Sequence, residues 1–215
     1  MKCCQCQGIE MLFDDKTALK ELEHYRQKGP SKTTRLLLEA VRANGLDGKT
    51  LLDIGGGVGA IQHELWPAGL SHITNVDASS AYLAAARAEA ERQGYVEQAS
   101  YHHGDFVDLA ERLEPVDIVT LDKVICCYHD MEALVRLSSA QAGALYALIF
   151  PRDTWWMKVF QPIFNAFFRV RRHPFRVFLH PTEAVDALIR SNGFEQRYHR
   201  RAGIWQVMVY ARLTS

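Results

Sequence analysis

The chain of 215 residues is 48% hydrophobic and 23% charged, and its 25 basic and 25 acidic side chains leave no net charge. This balance excludes an intrinsically disordered chain and a strongly basic nucleic-acid-binding protein, and no run of about 18 apolar residues predicts a membrane-spanning helix. The polar start does not resemble a secretory signal and the five cysteines are an odd number, so we expect a cytoplasmic protein with reduced thiols.

Helix and strand patterns alternate through residues 14–150. Capping residues and apolar periodicity predict helices at 14–28, 32–44, 58–66, 79–93 and 131–140. Buried-strand patterns lie between them, at 49–54, 72–76, 100–103, 116–121 and 144–150. This alternation is typical of a parallel sheet whose ligand lies beyond the carboxyl ends of its strands.

The pattern changes after residue 151. The remaining predicted elements are an aromatic helical stretch at 155–170, a helix at 182–191, and two strands at 194–201 and 204–212. The fold class that we predict is α/β: a Rossmann-like, doubly wound, mostly parallel sheet of seven strands. Helices cover both faces, and a C-terminal strand runs antiparallel.

A glycine cluster directly follows the first predicted strand. Asp53 is followed by Gly55, Gly57 and Gly59, with the next helix starting immediately beyond them. Glycine lets the backbone bend sharply and approach a ligand closely, and a helix N-terminus presents free N–H groups to an anion. The spacing therefore predicts a cofactor-binding loop rather than an ordinary turn.

Two cofactors compete for this loop. Gly55, Gly57 and Ala60 fit the dinucleotide fingerprint of NAD(P)-dependent oxidoreductases, with Asp77 as the ribose acid. Asp53 favours the other cofactor, because a carboxylate before the first glycine repels a pyrophosphate and suits a ligand that carries an ammonium and a sulfonium.

Four segments in order resemble the motifs of class I S-adenosylmethionine-dependent methyltransferases. They are Leu51–Gly59, Val76–Ser79, Gly104–Phe106 and Asp117–Asp122, which lie within about residues 31–150. The resemblance implies S-adenosylmethionine as cofactor and S-adenosylhomocysteine as product. We predict a methyltransferase domain over 31–215, with an aromatic and basic lid insertion at 151–180, after an N-terminal cysteine-containing segment and helix at 1–30.

The resemblance assigns roles along the predicted site. Asp77 takes both ribose hydroxyls, Asp105 accepts from the adenine amino group, and Phe106 covers the adenine ring. Asp53 orients the glycine loop and faces the methionine ammonium. The remaining predicted cofactor contacts are Lys32, which with Arg26 is a candidate for the methionine carboxylate, and Ala78, Leu121 and Asp122. A capping role remains an alternative for Asp77, Asp105 and Asp122.

The segment after the fourth strand carries the catalytic candidates. Its residues, together with Phe150–Thr154 and Asn192–Phe194, resemble the magnesium-protoporphyrin O-methyltransferase branch of the family. That branch has an Ile-His-Tyr-Pro segment here, whereas this chain has one extra residue, two cysteines, and His129 in place of the proline. Tyr128 and His129 are the predicted catalytic residues, with ordinary first-turn positions of a helix as the alternative.

Three thiols stand close together at the start of the chain, at Cys3, Cys4 and Cys6. Thiols at this spacing bind soft metals or metalloids, so a non-catalytic metal- or metalloid-binding protein is a further alternative. No second C-x-x-C pair exists, and we predict no metal ligands.

The charge is unevenly distributed. Residues 1–150 carry 14 basic and 21 acidic side chains, and residues 151–215 carry 11 and 4. Six aromatic residues at 155–168 precede a basic run at 169–176, which predicts an apolar lid with a cationic rim. We expect a small or medium hydrophobic acceptor, with an anionic one as an option, methylated at oxygen rather than at sulfur or a metalloid. We expect no nucleic-acid partner, and a weak membrane-surface contact through 155–176.

Overall fold

The computed structural model describes residues 4–213, with side chains from Cys6 onward. Within this part of the chain the α-helices are α1 (Cys4–Leu12), α2 (Asp15–Lys28), α3 (Lys32–Arg42), α4 (Ala60–Leu65), α5 (Ser80–Gln93), α6 (Phe106–Leu109), α7 (Met131–Gln141), α8 (Trp155–Val170) and α9 (Thr182–Ser191). Among the described residues, no helix combines the length and apolarity needed to cross a bilayer.

One sheet organises the molecule. Its strands are β1 (Thr50–Ile54), β2 (His72–Asp77), β3 (Ala99–His103), β4 (Val116–Asp122), β5 (Ala142–Pro151), β6 (Phe194–Ala202) and β7 (Trp205–Arg212). The order is β3-β2-β1-β4-β5-β7-β6, in which β1 to β5 are parallel and β7 is antiparallel to both of its neighbours. The predicted fold class is confirmed, including the antiparallel C-terminal strand.

Alternate residues of the strands build two apolar layers. Leu52 and Ile54 of β1 pack in the layer that α7 and α9 cover, whereas Leu51 packs in the layer that α3 and α4 cover. Because β5 lies in the middle of the sheet, the side chains from Leu145 to Pro151 are all buried, as a strand covered on both faces requires. The core therefore lies on both faces of the sheet, with helices outside it.

The N-terminal helix α1 is absent from the sequence prediction. Gly8 lies at its centre, and a glycine in a helix interior costs about 1 kcal/mol relative to alanine. A Cβ atom at Gly8 would lie only 2.5 Å from the Phe175 backbone nitrogen. The glycine therefore allows α1 to contact the segment after α8, and this tertiary contact is invisible in the local pattern.

The carboxyl ends of β1, β2 and β4 meet at one edge, at the point where the strand order reverses between β1 and β4. This edge carries Asp53, Asp77 and Asp122, and Asp105 follows the end of β3 at the same edge. Ligands of open α/β sheets bind at such a switch point.

Candidate active site

The glycine loop between β1 and α4 has backbone angles that favour glycine. Gly55, Gly57 and Gly59 have φ values of 61°, 56° and 83°, which residues other than glycine rarely adopt. The Gly55 N–H donates to the Val76 carbonyl at 2.7 Å, which ties the loop to β2. At Gly57 the nearest atom to an added Cβ is 3.9 Å away on Tyr82, so this part of the loop faces open space.

That space is a cavity of about 390 Å³, here called the main cavity. This volume lies at the lower end of small-molecule sites, which span roughly 300–1,000 Å³. Among the described residues that line it, five are acidic and one is basic: Glu21, Asp53, Asp77, Asp105, Asp122 and Lys123. A cavity with this excess of carboxylates favours a cationic ligand over a pyrophosphate.

Asp53 is 1% exposed beneath the glycine loop. Its Oδ1 accepts a hydrogen bond of 2.7 Å from the Thr120 hydroxyl, and its buried Oδ2 has no hydrogen-bond partner among the described residues. Burial raises the pKa of Asp53 to about 7, against the lowering effect of Thr120, and the nearby Asp122 and Asp77 raise it further. The site therefore holds a buried acceptor that a cationic ligand would satisfy.

Asp77 ends β2 and organises the two segments beside it. Its Oδ2 accepts from the Gly57 N–H at 2.9 Å, and its Oδ1 accepts from the Ser79 N–H at 2.8 Å. Burial raises the pKa of Asp77 to about 6, although both backbone hydrogen bonds favour the ionised form. Each oxygen keeps further acceptor capacity toward the cavity, so a structural role and a ligand contact are compatible here.

Asp105 and Tyr128 form a pair in the cavity wall. The Tyr128 hydroxyl lies 2.9 Å from both carboxylate oxygens of Asp105, and Asp105 also caps α6 by accepting from the Val107 N–H. Phe106 is buried and lines the cavity beside them. The structure thus places the predicted catalytic tyrosine next to the predicted adenine acceptor.

The end of β4 supplies the one basic group among the described lining residues. Lys123 has a positive φ of 62°, and its Nζ lies 3.3 Å from Asp122 Oδ1 and 3.4 Å from Ser31 Oγ. Asp122 Oδ2 accepts from the Thr34 hydroxyl at 2.6 Å. A non-glycine residue at positive φ is uncommon and marks functional sites more often than other places.

Several predicted site residues lie outside the cavity wall. Lys32 is exposed at the start of α3, and Leu121 is buried in the core. The glycine loop contributes Gly55 and Gly57 to the lining, but Gly59 is not among the described lining residues. The other basic candidate, Arg26, forms an ion pair of 2.8 Å with buried Glu89.

His129, the second catalytic candidate, is also outside the wall, and it packs beside Tyr128 with ring centroids 5.2 Å apart. A different histidine holds this turn. The His180 Nε2–H donates to the carbonyls of Ile125 and Tyr128 at 3.1 and 2.9 Å. Sequence reasoning missed His180, because it lies more than 50 residues beyond its partners.

The N-terminal segment also closes the cavity, which the sequence did not predict. Cys6 and Ile9 of α1 line it together with Phe13. The Phe13 ring stacks on Tyr82 with centroids 5.1 Å apart, and the Ser79 hydroxyl donates to the Phe13 carbonyl at 2.7 Å. No local pattern marks these residues, since their role depends on the chain folding back across the sheet edge.

The cysteine cluster is only partly within the described residues. Cys3 and the side chain of Cys4 lie outside them, while the Cys6 thiol donates to Asp105 Oδ2 at 3.5 Å. Where side chains are described, no group of three or more His, Cys, Asp or Glu residues has a metal-binding arrangement. The described part of the cluster belongs to the wall of the main cavity.

Comparisons with known proteins agree with this geometry. Residues 52–138 match the family described as a methyltransferase domain, and the comparison with curated proteins gives no significant match. The fold and the glycine loop agree with this match, which assigns residues 52–138 to a methyltransferase domain of the S-adenosylmethionine-dependent class. Its cofactor is S-adenosylmethionine, which replaces the nicotinamide alternative.

The structure resembles several solved methyltransferases. Magnesium protoporphyrin IX methyltransferase from Synechocystis PCC 6803, with bound SAH (S-adenosylhomocysteine), has a TM-score of 0.66 at 20% identity over 84% of this chain and 82% of that chain. An O-methyltransferase family protein from Burkholderia thailandensis has a TM-score of 0.70 at 15% identity, with coverages of 93% and 60%. Geranyl diphosphate C-methyltransferase from Streptomyces coelicolor has a TM-score of 0.65 at 13% identity, with coverages of 84% and 76%. At these identities the similarity concerns the fold, and the acceptor is a separate question.

Proposed function

We propose that this chain transfers a methyl group from S-adenosylmethionine to an oxygen atom of a small or medium hydrophobic acceptor, including anionic ones. The observation that carries the proposal is the main cavity, whose wall combines the glycine loop and its carboxylates with apolar side chains. Val124, Leu134 and Ile9 contribute apolar lining, which suits an acceptor with little polar surface. The proposed location is the cytoplasm.

The carboxylates of the cavity wall fit the cofactor. Asp53 offers its Oδ2, which has no partner among the described residues, to the methionine ammonium, and Asp77 offers remaining lone pairs to the ribose hydroxyls. Asp105 accepts from the adenine amino group and Phe106 covers the adenine face, provided that the Tyr128 hydroxyl shares Asp105 with the ligand. The remaining proposed contacts are the predicted Gly55, Gly57, Ala78 and Asp122, all in the cavity wall.

Lys123 replaces Lys32 as the proposed partner of the methionine carboxylate. Its ammonium group lies in the cavity wall between Asp122 and Ser31, whereas Lys32 is exposed and absent from the wall. An ammonium group binds a carboxylate as a compact point charge. This assignment gives a role to the one basic side chain among the described residues of the cavity wall.

When bound, the cofactor supplies an electrophilic methyl group on a sulfonium sulfur. The chain's own residues then align the acceptor and exclude water, which are large contributions in a transfer with a good leaving group. Tyr128 and His129 flank the turn after β4, which His180 holds in place. We propose that Tyr128 positions the acceptor and that His129 supports its ring.

Binding of SAH tests the proposal without knowledge of the acceptor. SAH should raise the melting temperature, and NAD should not, because only a ligand that binds the folded chain stabilises it. Asp77→Ala should weaken SAH binding by about 10–100-fold in calorimetry, since charge-assisted hydrogen bonds are lost.

Asp108→Ala is the matched control, because Asp108 is exposed and lies outside the main cavity. It should leave the affinity for SAH unchanged. Equal SAH affinities of wild type and Asp77→Ala would contradict the placement of the cofactor. Transfer of labelled methyl groups to a panel of hydrophobic alcohols, phenols and carboxylic acids then tests the acceptor class.

A further inference from the structure

The helix α8 has its polarity reversed relative to an ordinary surface helix. Its outward side chains are mostly apolar, and six of them form what we call the aromatic face: Trp155, Val159, Phe160, Ile163, Phe164 and Phe167. These six are between 51% and 78% exposed. They recur at spacings of three and four residues, so they lie on one side of the helix.

The two uncharged polar side chains of α8, Gln161 and Asn165, face the protein instead. The Asn165 amide accepts from the Val177 N–H and donates to the Val177 carbonyl, both at 2.8 Å, and Gln161 donates to the same carbonyl at 2.9 Å. These bonds fix the rotation of the helix about its axis. The aromatic face is therefore held outward by specific contacts rather than left there by a lack of core volume.

Such a face is costly for a chain surrounded by water only. Exposing a large apolar side chain rather than burying it costs about 1.5–3 kcal/mol, and extended apolar patches mark interaction sites. The segment is helical although it contains Pro162, which lacks the backbone N–H that a helix interior uses. We therefore expect a partner to cover the aromatic face.

The charge around the face identifies the chemistry of that partner. Lys158 and Arg169 lie on α8, and Arg171 and Arg172 follow it directly, whereas no acidic residue occurs between residues 154 and 182. The Arg171 guanidinium lies 4.3 Å from the Phe167 ring centroid, so a cation borders the apolar surface. An apolar face bordered by cations matches the interfacial helices that lie on anionic lipid surfaces.

We propose that α8 docks on an anionic lipid bilayer, lying in the plane of the surface. Its 16 residues are too few to cross a bilayer but suffice to lie in the headgroup layer. The aromatic face enters the acyl boundary, and the arginines after α8 contact the lipid phosphates.

Docking there would bring the main cavity close to the lipid surface. On the inner side of α8, Phe168 contacts Phe175, with ring centroids 5.3 Å apart. Phe175 contacts Phe13, which lines the main cavity, with centroids 6.2 Å apart. This relation, which rests on the proposed function, explains how an acceptor dissolved in lipid reaches the site.

Co-sedimentation of the full chain with vesicles tests the proposal. We expect binding to vesicles of equal phosphatidylcholine and phosphatidylglycerol, and much weaker binding to phosphatidylcholine alone. Phe160→Ser combined with Phe164→Ser should lower the affinity by at least about tenfold, because two rings that the lipid would bury are lost. Arg171→Gln combined with Arg172→Gln should lower it on the order of tenfold, and high salt should reduce this difference.

Two controls carry equivalent changes elsewhere on the chain. Leu19→Ser removes a side chain that is 65% exposed on α2, and Arg87→Gln combined with Arg112→Gln removes two exposed cations. Both should bind vesicles as the wild type does. SAH affinity, measured in every variant without lipid, should stay unchanged, so failure of docking is distinct from failure of the proposed function.

Three results would overturn the proposal. One is a wild-type chain that does not bind the anionic vesicles. Another is vesicle binding that the phenylalanine variant retains in full. The third is a dimer in sedimentation velocity that the phenylalanine variant dissociates, because a second copy of the chain would then cover the aromatic face.

Discussion

At the scale of single residues, burying the Asp53 carboxylate costs free energy, and the same carboxylate is the proposed contact of the cofactor ammonium. The carboxylate lies buried beneath the glycine loop, and burial raises its pKa to about 7. A cationic ligand beside it favours the ionised form and would lower this pKa again. Ligand binding and the protonation state of Asp53 are therefore linked.

This linkage predicts a pH dependence of cofactor binding. The affinity for SAH should fall as the pH drops below about 7, by at most about tenfold per pH unit, because Asp53 must lose a proton to bind the ammonium. It should level off above that pH. Calorimetry between pH 6 and 8 should show that Asp53→Asn removes most of the slope, while Asp47→Asn, outside the cavity, keeps it. If the affinity of the wild-type chain for SAH does not change with pH over this range, the role of Asp53 is contradicted.

At the scale of elements, α1 completes the cavity only because it can approach the segment after α8. Gly8 provides this approach, since a Cβ there would lie 2.5 Å from the Phe175 nitrogen and 2.7 Å from its Cα. Both neighbours are backbone atoms, so a side chain at position 8 would displace the helix rather than a flexible group.

Gly8→Val should therefore release α1 from the cavity wall. We expect faster amide hydrogen exchange across 4–12 and an affinity for SAH lower by roughly tenfold, because overpacking costs about 1–3 kcal/mol and the wall residues Cys6 and Ile9 move away. Gln7→Val adds the same side chain at the exposed neighbouring position and should have neither effect. If both variants behave alike, the contact of Gly8 does not position α1.

At the scale of the whole molecule, buried groups with opposite pKa shifts set the pH dependence of stability. Burial lowers the pKa of His63 to about 4, so its contribution to stability is lost as the pH falls below 6.5. Burial raises the pKa of Asp53 to about 7 and that of Asp77 to about 6, so their contributions are lost as the pH rises from about 4. Burial also lowers the pKa of His180, which therefore acts in the same direction as His63, but the two acids carry the larger opposing shifts in this range.

The cofactor-free chain should therefore be less stable at pH 7 than at pH 5. Asp53→Asn removes one of the two opposing acids, so its free energy of unfolding relative to wild type should rise with pH by about 1.4 kcal/mol per unit between pH 4.5 and 6.5. Urea unfolding at several pH values measures this difference. A difference independent of pH would show that Asp53 stays ionised in the folded chain.

Much of the molecule was predictable because the signals were local. Apolar runs such as that of β5 predict buried strands, and the glycines beyond Asp53 predict a cofactor loop at a strand end. Strand alternation in the first two thirds predicts the parallel sheet and hence that Asp77 and Asp53 meet at one edge. The sequence also predicted the turn between β6 and β7 within a residue or two.

What the sequence determined by itself was the order of elements, the sheet, and the acids at its carboxyl edge, because periodicity and spacing record them locally. Only the tertiary structure decided that Lys123 rather than Lys32 enters the cavity, that α1 forms part of its wall, and that α8 turns its aromatic face outward. These features depend on contacts between residues far apart in the chain, such as those of Gly8 with Phe175 and of His180 with Ile125. Packing of distant segments leaves no local periodicity, and this is the physical reason that the structure was needed to reveal it.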